Sequence, residues 1–190
     1  MAYPAEQERY SFAEYLTWDE NVRGEIISGE IFMMPSPLRI HQEILMELSR
    51  QLANFLEGKR CGVYPAPFSV RLFEKDSDTP EDIDTVVEPD ISVVCDQSKL
   101  DRHGCKGAPD FIIEILSPSS RRHDRIVKVN LYQQAGVHEY WIVNPDEQSV
   151  IVLLQDANGY YRLHEEYGKK DIAKVNSLEG CFIELCKVFP

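Results

Sequence analysis

The sequence predicts a mixed α/β fold of the α+β kind: a mixed central β-sheet flanked by helices, with additional C-terminal β-strands. Three observations lead there. Two short apolar runs, Asp90 to Cys95 and Phe111 to Leu116, have the length and composition of buried strands. A helix-length segment, about Ser119 to Ala135, separates the second run from a third at Glu139 to Val143, which is the pattern of a crossover between parallel neighbours. After Pro145 the chain reads as β throughout.

Taken in order, a short leader helix is expected around Ser11 to Leu16. A hairpin follows, Gly24 to Ile27 and Glu30 to Met34, turning at Ser28-Gly29 and ended by Pro35-Ser36-Pro37. From about Leu38 to Glu57, Ile44, Leu45, Leu48, Leu52, Phe55 and Leu56 recur at three and four residues. This is the stripe of an amphipathic helix, closed by Gly58, with His41 at its head. Val63 to Phe73 reads as one strand. Glu74 to Glu88 carries Glu74, Asp76, Asp78, Glu81, Asp82, Asp84 and Glu88 against Lys75 alone, and is expected to be a solvated loop. It has neither the spacing nor the central glycine of a calcium loop. The C-terminal strands are Ser149 to Leu154, Tyr160 to Glu165 beyond a turn at Asn158-Gly159, and Ile183 to Val188; they extend the main sheet or form an appended one.

At 190 residues, 43% hydrophobic and 27% charged, residues 1–190 are expected to form a single domain with a substantial core. No apolar run approaches the roughly 20 residues of a membrane span. The polar, acidic N-terminus does not read as a secretory signal, so the expected location is cytoplasmic, with no membrane partner. Five cysteines without a Cys-x-x-Cys pair are read as small core residues, and His103 with Cys105 is too small a set for zinc. The net charge of -12 opposes non-specific binding to nucleic acid, which depends on lysines and arginines displacing counterions from phosphates. The concentrated basic stretch is Arg121, Arg122, Arg125 and Lys128.

Glu114 stands inside the apolar run Phe111 to Leu116, where an ionised carboxylate must be paired, hydrogen-bonded, metal-bound or protonated. Asp90 opens the preceding apolar strand. Alone, Pro89-Asp90 is an ordinary turn; together the two acids project from neighbouring strands and make the oxygen donor set of a hard divalent cation. Lys128 borders the stripe Val127, Leu131 and Ala135 of the next helix and can pair with Asp124 four residues earlier, as a surface ion pair or as part of a site.

Several segments carry a resemblance: Arg23 to Ile31, His41, Glu88 to Val94, Pro109 to Ser120, then Asp124, Lys128, Tyr132, Gly136-Val137 and Glu139 to Val143. Together they cover most of the chain and resemble the Uma2 family, formerly a domain of unknown function, which is assigned to the PD-(D/E)xK restriction-endonuclease-like nucleases. The resemblance implies a restriction-endonuclease-like core and a metal-dependent endonuclease that hydrolyses phosphodiesters of nucleic acid, DNA foremost, bound transiently. It makes Asp90 and Glu114 the two motif acids and the ligands of Mg2+ or Mn2+, with the Ile115 carbonyl as a further ligand. Two residues after Glu114, where the parent pattern has lysine, stands Leu116; the catalytic lysine is then Lys128. Glu25, His41 and Asp124 are supporting candidates, and Ser117, Ser119 and Ser120 sit where a helix start could cap or receive a phosphate. A homodimer is compatible, with Tyr140 to Val143 suited to core or interface.

Two alternatives stand beside this. One is a catalytically inactive nuclease-fold module that binds nucleic acid or protein, favoured by the acidic balance and the displaced lysine. The other is a serine or cysteine hydrolase using Ser117 or Cys95 with a histidine, opposed by the lack of a Gly-x-Ser-x-Gly elbow.

Overall fold

A computed structural model describes residues 9–19, 21–117 and 123–190, with side chains from residue 126 onward in the last stretch. In chain order the elements are α1 (Phe12–Tyr15), β1 (Gly24–Ile27), β2 (Glu30–Met33), α2 (Arg39–Leu56), β3 (Gly62–Pro65), β4 (Val70–Arg71), β5 (Ile91–Val94), β6 (Leu100–Asp101), β7 (Gly104–Lys106) and β8 (Phe111–Ile115). A π-helical turn, His123–Lys128, runs into α3 (Val129–Ala135). The rest comprises β9 (Glu139–Asn144), β10 (Ser149–Gln155), β11 (Tyr161–Gly168), β12 (Ile172–Lys174), β13 (Phe182–Glu184) and α4 (Leu185–Val188).

The main sheet has the order β11-β10-β9-β8-β5-β3, with β8 and β9 parallel and every other pair antiparallel. The expected crossover and mixed sheet are therefore present, and the strands after Pro145 extend that sheet. All five residues of β8 and all six of β9 are buried, as strands covered on both faces must be. One face, with Phe111, Ile113, Ile115, Trp141 and Val143, packs against Ile44, Leu48 and Leu52 of α2 and against Ile183 and Leu185 at the C-terminal end. The other, with Ile112, Leu116, Tyr140 and Ile142, meets Leu131 and Tyr132 of α3 and the β4-β7-β6 sheet. Tyr140 and Trp141 are fully enclosed, so this segment is core.

Several expectations are corrected. Val63 to Phe73 is two strands, β3 and β4, because Pro65 and Pro67 lack the N–H a continuous ladder requires. Ile183 to Val188 is not one strand: β13 pairs with β12, and then Leu185 and Val188, three apart and both buried, form a helical turn. The acidic segment is only partly solvated. The carboxylate of Glu74 pairs with the buried Arg71 guanidinium, and Val86 and Val87 bridge to Ile26 and Val70, which buries Glu88 and fixes the approach to Asp90. Among the cysteines, Cys105 and Cys181 are core residues as expected, Cys186 is exposed, and Cys61 and Cys95 form a disulfide between the ends of β3 and β5.

Candidate active site

The register of β5 against β8 builds the site. Ile91 faces Ile113, so one step further Asp90 stands opposite Glu114 on the same face of the sheet. Like charges directly opposed across two strands repel, so each carboxylate must be held by something else. Asp90 Oδ2 accepts the Ile115 N–H at 2.7 Å and lies 3.1 Å from His41 Nε2, on the first turn of α2. Glu114 Oε1 accepts from Lys128 Nζ at 2.8 Å and from the Tyr132 hydroxyl at 2.6 Å. Lys128 Nζ also donates to Glu25 Oε1 at 2.9 Å, and that oxygen takes the backbone N–H of Glu88 at 2.9 Å.

Lys128 closes the π-turn and lies three and four residues before Leu131 and Tyr132, so helical spacing puts all three on one face. Val127, expected inside, is 38% exposed, whereas Lys128 is 4% exposed and shares the inner face with Leu131 and Tyr132. The surface-pair reading of Lys128 is thereby excluded. Its partners are equally enclosed, Glu25 at 2% and Glu114 at 3%. Burial, then the charges of Glu114 and Glu25, holds the Tyr132 hydroxyl well above the usual phenol range, so it stays a neutral donor to Glu114.

Asp90, Glu114, Ile115, Lys128, His41 and Ser117 all line one pocket of about 330 Å³. Glu25 joins through Lys128. The side chain of Asp124, and Ser119, Ser120, Arg121, Arg122 and Arg125 as side chains, lie outside the described residues. Tyr132 was not anticipated, although its spacing of four from Lys128 places both on one helix face. Arg23 and Glu88, also pocket residues, were not anticipated either; Arg23 stands two residues before Glu25, just ahead of β1, which was the available signal. Arg23 approaches Glu88 at 3.5 Å, and the Tyr15 hydroxyl donates to Glu88 at 2.6 Å.

Among the described residues no three His, Cys, Asp or Glu side chains cluster as a metal site by themselves. The donor set at issue is two carboxylates and a main-chain carbonyl. Such oxygens fit Mg2+ or Mn2+, since a small hard cation keeps several of its waters and takes only one or two protein carboxylates. Cys95 is bound in the disulfide, which removes it as a nucleophile.

Comparison with known proteins places the chain. Residues 12–185 match the family model Uma2, described as "Putative restriction endonuclease". The chain belongs to the Uma2 family. An uncharacterized protein of Synechocystis sp., slr1290, is 30% identical over 121 residues; the match spans 63% of this chain and 60% of that protein's length. A crystal structure of a "putative nuclease belonging to DUF820" from Anabaena variabilis superposes with a TM-score of 0.70 at 21% identity, covering 95% of this chain and 97% of that one. At that identity the likeness establishes the Uma2 fold. Among the described residues no helix is long and apolar enough to cross a membrane.

Proposed function

We propose that this Uma2 protein is a metal-dependent endonuclease that hydrolyses phosphodiester bonds of nucleic acid at the pocket between β5, β8 and α2. The observation that carries the reading is the placement of Asp90 opposite Glu114, facing one pocket with Lys128 between Glu114 and a third acid. Asp90, Glu114 and the Ile115 carbonyl would hold Mg2+ or Mn2+, whose contribution when bound is to polarise the scissile phosphate and make water a better nucleophile.

The chain's own residues have separable tasks. His41 and the Ile115 N–H fix the orientation of Asp90. Tyr132 holds Glu114 without competing for its charge. Glu25 holds Lys128 Nζ in place beside Glu114, where it can orient water and offset negative charge growing on the phosphate oxygens. The acidic surface does not forbid a transient encounter, because a pocket-sized contact neutralises few phosphates.

A second reading has an observation in its favour. Lys128 already compensates Glu25 and Glu114, so the same residues could be a structural ion cluster in a module that binds without cutting. The deciding experiment is cleavage of labelled single- and double-stranded DNA and RNA with Mg2+, Mn2+ or EDTA, beside Asp90→Asn, Glu114→Ala and Lys128→Ala. Ion-dependent cleavage lost in all three variants supports the endonuclease. Absence of cleavage, with no effect of either ion on stability, supports the binding module.

A further inference from the structure

The reacting groups lie deep. The side chains of Glu25, Glu114 and Lys128 are at most 5% exposed and that of Asp90 is 17% exposed. A phosphodiester cut there must bring its phosphorus to the Asp90 and Glu114 oxygens, so the strand itself has to enter the pocket. At about 330 Å³ the pocket has the size of a small-molecule site. Its walls differ in character. One is the run connecting β2 to α2, where Met34, Pro35, Pro37 and Leu38 present apolar surface. The other is charged or polar, with Arg23, His41, Glu88, Asp90, Glu114 and Lys128, and the Arg23 side chain is 36% exposed.

A pocket lined by an apolar run and by charged groups that include the Arg23 guanidinium suits a nucleotide, which has a flat apolar base and strong polar atoms around its edge and phosphate. A duplex offers the wrong parts. Its bases are stacked inside, it is stiff over about 50 nm, and it would press many phosphates against a chain of net charge -12. A single strand bends freely and its bases are available for stacking on protein surface.

We infer that the pocket takes a single nucleic-acid strand one nucleotide deep, with a base against the Met34 to Leu38 wall and the phosphate between Arg23 and the Asp90–Glu114 pair, and that it refuses a continuous duplex. This rests on the phosphodiesterase reading above. DNA and RNA share the chemistry used here, and separate arms of the test distinguish them.

The test uses the whole chain with Mn2+ and short oligonucleotides of one sequence, as single-stranded DNA, single-stranded RNA and blunt duplex DNA, with Glu114→Ala as the blank. Anisotropy on the same labelled strands measures binding. The wall is probed with Leu38→Asp. Leu38 is 55% exposed and occupies the cap position of α2 with no side-chain cap, so aspartate supplies a missing acceptor and the fold is retained, as a melting curve checks.

A single strand should be cut at least ~10-fold faster than the duplex, because drawing a paired base out of its stack is costly. Leu38→Asp should slow single-strand cleavage by about fivefold or more through lost base contact and added repulsion. Duplex cut as fast as single strand, or Leu38→Asp without effect, overturns the inference and leaves the endonuclease standing. If nothing is cut, the endonuclease reading fails, and binding decides the inference: single strand bound more tightly than duplex and weakened by Leu38→Asp upholds it, while equal binding or none overturns it.

Discussion

Replacing Lys128 by Met removes the ammonium shared by two buried carboxylates. The Lys128 side chain is 5% exposed and sits 2.9 Å from Glu25 and 2.8 Å from Glu114, whose side chains are 2% and 5% exposed, so solvent screens this cluster little. Removing one member of a buried ion cluster costs about 3–5 kcal/mol, whereas a solvent-exposed pair is worth about 0–1 kcal/mol. For a chain of this size each kcal/mol moves the midpoint by about 2–4 °C, which translates into a drop of roughly 6–20 °C. Thermal unfolding followed by circular dichroism at neutral pH measures this, with urea titration to confirm a cooperative transition. The triple change Glu25→Gln, Glu114→Gln, Lys128→Met should lose less than Lys128→Met alone, because the charges leave together and only hydrogen-bonding groups remain. A single change costing under about 1 kcal/mol, or a triple variant as unstable as the single, would refute the buried-cluster reasoning.

Other expectations follow from the same geometry. Mg2+ or Mn2+ at about a hundred times its dissociation constant should stabilise the fold by about 2.7 kcal/mol, and EDTA should reverse this. Asp90→Asn and Glu114→Gln should abolish that ion-dependent shift in melting temperature. Glu139→Gln should lower baseline stability and keep the shift, because Glu139, also buried in the sheet, is held by the Trp141 indole at 2.7 Å and the Ser177 N–H at 2.6 Å and does not line the pocket. Tyr132→Phe should cost about 1.5–3 kcal/mol, the worth of a hydrogen bond to a charged group, and reduce cleavage less than Glu114→Ala does; stability unchanged in denaturant titration would contradict the bond to Glu114. Burial pushes the Cys105 and Cys181 thiols up to about 11 from an ordinary 9.0. Because the folded values are raised, the stability they contribute is present below pH 9 and is lost as pH climbs towards 11. Mass spectrometry after iodoacetamide treatment of the native protein at mildly alkaline pH should find Cys186 modified and Cys105 and Cys181 untouched.

Much of the candidate site was legible because a charge in an apolar strand is conspicuous. Glu114 and Asp90 announce themselves by interrupting or opening runs that otherwise bury completely, and the pair of strands that carries them is adjacent as expected. The same signal misleads when taken alone. Glu139 is as deeply buried as Glu114, yet it is satisfied by N–H donors, so burial of a carboxylate marks a need for compensation and leaves its kind open. Glu25 and His41, weak candidates from pattern, are brought into the cluster by contacts across 103 and 49 residues of chain. Tyr132 is visible in hindsight through its spacing from Lys128.

From the order of apolar runs, turns and prolines alone, the chain's layered α+β plan, the parallel pair β8 and β9 and the two central acids are determined, because strand and helix periodicities are local and each buried charge is exceptional wherever it occurs. Tertiary structure alone decides that Lys128 rather than Val127 faces inward, that Glu25 is a partner of its ammonium, and that Cys61 meets Cys95. These outcomes depend on which helix face packs inward, a hairpin laid over the sheet and a strand register, each set by packing between segments remote in sequence, which no local pattern encodes.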